Sequence, residues 1–101
     1  MAYSSRAPAG TGAASGNHMA SRRFVYLIQS HARADRHYVG LTSDLPARLA
    51  AHNAGESPHT SRYRPWRLVV SVVFASEARA IEFEKYLKSS SGAAFLKRYF
   101  L

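Results

Sequence analysis

The run Trp66-Arg67-Leu68-Val69-Val70-Ser71-Val72-Val73-Phe74-Ala75 constrains this chain most. Its four valines, set between Trp, Leu and Phe, favour a strand, because branched and aromatic side chains pack well on a pleated surface. The run is almost continuously apolar instead of alternating, which predicts a central strand covered on both faces. Such a strand needs partners, and two more β-prone runs supply them: residues 23–30 (Arg-Phe-Val-Tyr-Leu-Ile-Gln-Ser) and residues 37–42 (His-Tyr-Val-Gly-Leu-Thr). Between these two lies the charged, turn-like stretch Arg33-Ala34-Asp35-Arg36, so they are expected to form a hairpin.

The remaining elements announce themselves through their ends. Thr42-Ser43-Asp44 offers N-caps for a helix from Asp44 to Ala54, with Pro46 in the first turn, where a missing N–H costs little. Gly55 is a plausible end for it. Residues 55–65 are a polar loop. Ser76 is placed to cap a second helix running through Lys88. Ser89-Ser90-Ser91-Gly92 is expected to break it, and residues 93–100 to form a short closing helix. The order is β-β-α-β-α-α. This predicts an α/β (α+β) fold with a small, three-stranded, mostly antiparallel sheet flanked by helices.

The 101 residues allow one small domain. Residues 1–18 are Ser, Ala, Gly, Pro and Thr-rich, with a single charge at Arg6, and are expected to be a disordered leader. His18-Met19 resembles a cloning junction, with Met19 the natural start. The domain is therefore expected over residues 19–101. It carries thirteen basic and six acidic side chains, a net charge of +7, which favours a polyanionic partner, in the first place nucleic acid. The chain has no cysteine, which excludes disulfides, thiolate metal sites and a Cys nucleophile, and fits a cytoplasmic protein. No apolar run is long enough to predict a membrane span.

Candidate functional residues fall in three groups. Period two puts Phe24, Tyr26 and Ile28 on one strand face and Val25 and Leu27 on the other. Tyr38 and Gly40 likewise share a face, so a hairpin can bring Tyr26 and Tyr38 together. Alone, that pair reads first as two core aromatics. Gly40 in a strand interior suggests that a backbone or ligand comes close. Arg48 and His52 stand at i and i+4 on the first helix and form a small anion-facing edge beside Leu45 and Leu49. Glu84 lies against the apolar side of the second helix, near Ala80, Ile81 and Leu87. A carboxylate there needs a partner, either a cation such as Arg48 or a metal ion. The loop His59 to Arg67 interleaves arginines with aromatics, making Arg62, Tyr63, Arg64 and Arg67 candidates for nucleic-acid contact, with Lys85 and Lys88 beside Glu84.

In order and spacing these segments resemble the GIY-YIG nuclease superfamily. They are Phe24 to Ile28, Tyr38 to Thr42, Asp44 to Gly55, Thr60 to Trp66 and Glu84 to Lys88. The closest likeness is to small single-domain members similar to the nuclease domain of the bacterial excision-repair incision subunit, and so to DNA repair. The resemblance implies an endonuclease that hydrolyses DNA phosphodiesters with one Mg²⁺ or Mn²⁺. By the same resemblance Tyr26, Tyr38, Arg48, His52 and Glu84 are the catalytic residues, with Glu84 holding the metal. Phe24 stands where the motif has glycine, and Val25 and Val39 replace isoleucines. A further polar residue of some members has no clear match; Ser89, Ser90 and Ser91 are the nearby candidates. The alternative is a nucleic-acid-binding module of the same fold with little or no cleavage activity.

Overall fold

The computed structural model describes residues 22–101; the expected leader, residues 1–18, lies outside the described residues. The elements are β1 (Arg23–Ser30), β2 (His37–Thr42), α1 (Leu45–Ala54), β3 (Trp66–Phe74), α2 (Glu77–Leu87) and α3 (Ser90–Tyr99), with a 3-10 turn over Ser61–Tyr63. The order is the expected one. The sheet is antiparallel throughout, in the spatial order β2-β1-β3.

The strand order corrects one expectation. The apolar run of β3 is an edge strand, and β1 is the central one. Four consecutive β1 residues, Val25 to Ile28, are buried, whereas Leu68 and Val72 of β3 stay exposed. Apolar content identified a strand correctly but not its neighbours. The hairpin occupies one side of β1, and β3 takes the other. A β-bulge between Leu27 and Ile28 leaves Val69 without a partner, so that both Val70 and Leu68 pair in register.

Helix ends follow local chemistry closely. Asp44 accepts a hydrogen bond from the Ala47 N–H at 3.1 Å and caps α1. Gly55 closes that helix with φ of 83°, a conformation that costs other residues strain. Ser76 caps α2. The serine run does not simply interrupt the helices: Ser89 caps α3 by accepting from the Gly92 N–H, and the helix starts at Ser90, three residues earlier than expected. Ser89 Oγ also donates to the Tyr86 carbonyl, so its hydroxyl is spent on the α2–α3 corner.

Each face of β1 carries its own core. Val25 and Leu27 pack with Val39, Ala80, Leu87 and Leu96 under α2 and α3. Tyr26 and Ile28 pack with Trp66, and with the half-buried Tyr38, Leu45, Leu49 and Tyr63, under α1 and its following loop. The second face is the polar one.

Candidate active site

Tyr26 and Tyr38 come from neighbouring strands and share this polar face, their ring centroids 6.4 Å apart. Gly40 explains how. It is the register partner of Tyr26, and a Cβ built on it would fall inside the Tyr26 phenol. What approaches Gly40 is thus neither backbone nor ligand but the Tyr26 ring, lying across β2.

α1 brings Arg48 and His52 over the two rings. The His52 imidazole lies 5.7 Å from the Tyr26 ring and 5.2 Å from that of Tyr38, edge-on to both. It is 0% exposed. His52 Nε2 is 2.7 Å from the Tyr26 hydroxyl, and His52 Nδ1 is 2.7 Å from the Thr60 hydroxyl. Burial lowers the His52 pKa below its ordinary value, and the Arg48 charge lowers it further. The imidazole is therefore neutral and adds no second cation beside Arg48. His52 does not form an anion-facing edge; it is an interior link between a tyrosine and a threonine.

Arg48 is half-buried beside the same pair. Its interaction with the Tyr26 phenol is the main cause holding its pKa above the ordinary arginine value; Tyr38 contributes as well. Burial raises the Tyr26 pKa. Arg48 acts against that rise, while Tyr38 and Glu84 add to it. The balance keeps Tyr26 a neutral phenol.

Glu84 projects from α2 near enough for its charge to act on Tyr26. Its carboxylate pairs with Lys88 at 2.9 Å, one turn along the same helix, and not with Arg48. Lys88 in turn lies 5.5 Å above the Tyr38 ring. Glu84 and Lys88 together thus border the tyrosines from α2. Among the described residues no group of three or more His, Cys, Asp or Glu is clustered to hold a metal. A single partly exposed carboxylate does fit Mg²⁺ or Mn²⁺, hard cations that take one or two carboxylates and fill the remaining positions with water and phosphate.

Basic and aromatic residues border the same face. Tyr63 is half-buried, and its ring is met by three guanidinium groups, Arg36 at 4.8 Å and Arg33 and Arg62 at 5.9 Å. Arg64 and Arg67 are exposed but tied, Arg64 to the Ser61 carbonyl at 2.9 Å and Arg67 to the Gln29 side chain at 2.5 Å. Lys85 is exposed on α2.

Sequence reasoning missed three residues. Arg33 and Arg36 looked like turn charges, and only the hairpin's fold brings them to Tyr63. Thr60 looked like one polar loop residue among many. Its signal was faint: a threonine eight residues after a histidine has no periodic relation to it.

The sheet order and this buried polar face define a small α+β domain with a built, charged site. A family model described as the GIY-YIG catalytic domain matches residues 22–99, and the chain belongs to that family. Among its relatives, the structure-specific endonuclease subunit SLX1 of Scheffersomyces stipitis is 42% identical over 67 residues, which are 59% of this chain and 20% of that protein. The SLX1 protein of Cryptococcus neoformans is 42% identical over 77 residues, 16% of its length. This chain thus spans about a fifth or less of the SLX1 relatives it matches. A UPF0213 protein of Staphylococcus haemolyticus is 32% identical over 78 residues, covering 76% of this chain and 93% of that one. The solution structure of a UPF0213 protein from Bacillus halodurans superposes with a TM-score of 0.47 at 28% identity, covering 76% of this chain and 83% of the other. No helix among the described residues is long and apolar enough to cross a membrane.

Proposed function

We propose that this domain is a metal-dependent endonuclease that hydrolyses DNA phosphodiester bonds at the Tyr26, Tyr38, Arg48, His52 and Glu84 site. The observation that carries this reading is the convergence of a neutral phenol, a buried imidazole and a half-buried guanidinium beside one carboxylate, in a chain of the GIY-YIG family.

The residues divide the work by chemistry. Arg48 is the group that neutralises charge on the five-coordinate phosphorus, because it keeps its charge at every working pH and stands beside Tyr26 and Tyr38. Tyr26 accepts a proton from the attacking water. A phenol with a raised pKa is a poor base if it must first lose its own proton to solvent. His52 removes that difficulty: the Tyr26 proton passes to Nε2 as the water proton reaches the phenol oxygen. The water oxygen forms the new bond to phosphorus, the bond to the leaving oxygen breaks, and that oxygen takes up a solvent proton. Tyr38 orients the water or the phosphate. Mg²⁺ or Mn²⁺ held by Glu84 would supply Lewis-acid stabilisation of the phosphate charge. Lys88 holds the Glu84 carboxylate in position meanwhile.

The basic border fits the polymer. Arg62, Tyr63, Arg64, Arg67, Lys85 and Lys88, joined by Arg33 and Arg36, would grip the phosphate backbone on either side of the site. Because the SLX1 relatives are named structure-specific endonuclease subunits, branched DNA belongs on the substrate panel with duplex, nicked and supercoiled DNA.

The test compares the native protein with Glu84→Gln, Arg48→Ala and Tyr26→Phe on that panel, with Mg²⁺, with Mn²⁺ and with chelator. Metal-dependent cleavage by the native protein alone is expected. Cleavage that all four share would place the activity elsewhere. Binding that weakens with salt, with no cleavage of any substrate, would leave a nucleic-acid-binding module.

A further inference from the structure

We propose that Thr60 is a positioning residue that holds His52 in the tautomer carrying its proton on Nδ1, so that Nε2 stays bare to receive the Tyr26 proton. This rests on the nuclease reading of the site, but its geometric half can be measured without any cleavage.

The inference follows from which of the two hydroxyls on His52 is the better donor. Tyr26 is 2% exposed and His52 and Thr60 are 0% exposed, so the two ring nitrogens depend on these two hydroxyls. A phenol, with a reference pKa of about 10, is a far stronger acid than an aliphatic hydroxyl and so the stronger donor. The neutral Tyr26 phenol is therefore the hydroxyl that gives its proton to the ring. His52 Nε2 is the acceptor that the fold sets at 2.7 Å. If Nε2 carried the imidazole proton instead, it would donate to the phenol oxygen, and the stronger donor of the two hydroxyls would lose its acceptor. With Nε2 bare, the proton must sit on Nδ1, and it needs an acceptor there. Thr60 Oγ1 is that acceptor, at 2.7 Å. The line then runs in one direction: Tyr26 donates to His52, and His52 to Thr60.

The loop is built to keep Thr60 in place. The Thr60 N–H donates to the Ser57 carbonyl at 3.1 Å, and the Thr60 carbonyl accepts from the Trp66 indole N–H at 2.8 Å. Trp66 is itself buried, and Asn53 of α1 holds both its backbone N–H and its carbonyl. Asn53 follows His52 directly in the chain. One helix turn thus fixes the histidine and, through Asn53 and Trp66, the threonine that orients it.

Thr60 also suits the step itself. When the Tyr26 proton reaches Nε2, the imidazolium carries a proton on each nitrogen, and Thr60 still accepts from Nδ1 without rearranging. A valine of the same shape would leave Nδ1–H without a partner in both states. It would instead favour the other tautomer, which blocks Nε2.

The experiment is nitrogen-15 NMR of the histidine side chains in the full chain, with the His52 signals assigned by loss in His52→Asn. Native protein is expected to show the proton on Nδ1 of His52. Thr60→Val is expected to shift His52 toward the Nε2-protonated form, and Thr60→Ser to restore the native tautomer. In cleavage, Thr60→Val should lower kcat by about 10- to 100-fold with KM nearly unchanged, at or below the lower end of what general acid–base catalysis contributes, because the imidazole is misdirected and not removed. Thr60→Ser should stay within about threefold of native, since it keeps the acceptor oxygen. A native His52 protonated on Nε2 overturns the proposal outright, even if Thr60→Val fails to fold. So does a folded Thr60→Val that keeps both the native tautomer and the native kcat. If the native protein cleaves nothing, the nuclease reading fails, and the tautomers alone still decide whether Thr60 orients His52.

Discussion

The two faces of β1 are alternate residues of one strand, yet they are built on opposite principles. Val25 and Leu27 enter a core that is apolar on every side, with Ala80, Leu87 and Leu96 from α2 and α3. Tyr26 and Ile28 enter a core in which a phenol, an imidazole, a threonine hydroxyl and an indole N–H are buried together. The first face is stabilised by removing apolar surface from water. The second is tolerable only because its polar atoms satisfy one another; no buried side-chain nitrogen or oxygen among the described residues lacks a partner. An apolar core can change in detail and still hold. A closed polar chain has a direction, and losing one member leaves the next unpaired.

The comparison breaks most visibly at its apolar end. Leu27→Ala should destabilise the domain by about 2–5 kcal/mol, as expected for truncating a buried leucine. Chemical denaturation measures this, and cleavage per folded molecule should stay near native. Arg48→Ala should do the reverse. The loss of one charge-stabilising donor should lower kcat by about 10²- to 10³-fold. Its unfolding midpoint should move little, because Arg48 lies at the rim of the buried pair.

Gly40→Ala tests the seam between fold and site. The added methyl would collide with the Tyr26 ring, so we expect a loss of about 1–3 kcal/mol typical of overpacking, together with reduced cleavage. Stability lost with full activity retained would mean that Tyr26 can move without consequence.

The smallest effect is a pH dependence confined to the polar face. His52 meets Tyr26 from β1, Tyr38 from β2, Arg48 from its own helix and Thr60 from the following loop. Its folded pKa is depressed below the ordinary 6.5, so the unfolded chain binds the proton more readily. The stability it contributes is complete above about pH 6.5 and is lost as pH falls from there through the folded value. Thermal unfolding followed from pH 7.5 to 5 should show this decline, and His52→Asn should flatten it.

Much of this architecture was legible beforehand because it depends on near neighbours in the chain. Asp44, Gly55 and Ser76 act on backbone groups within a few residues, so their roles as helix ends could be read from spacing. Strand periodicity put Tyr26 on a face with Ile28, and Tyr38 on one with Gly40, for the same reason; the hairpin then joined the two faces. The resemblance of five short segments pointed to the family that the match over residues 22–99 shows. Ser89 was half legible: its place as a boundary was clear, but not that it starts α3 in the act of ending α2.

Pairings between distant residues were a different matter. Sequence alone determined which stretches are strands and helices, which residues share a face, and which side chains bring charge and hydroxyls to that face. Only the tertiary structure decided that β1 and not β3 is central, because hydrogen-bond partners are chosen between strands and leave no trace in either one's composition. Tertiary structure alone also turned His52 from a candidate cation into a neutral link, and Thr60 from a loop residue into its partner. The physical reason is the same in both cases: protonation and hydrogen-bond direction follow from burial and from the atoms opposite, and in this site those atoms lie 26 and eight residues away along the chain.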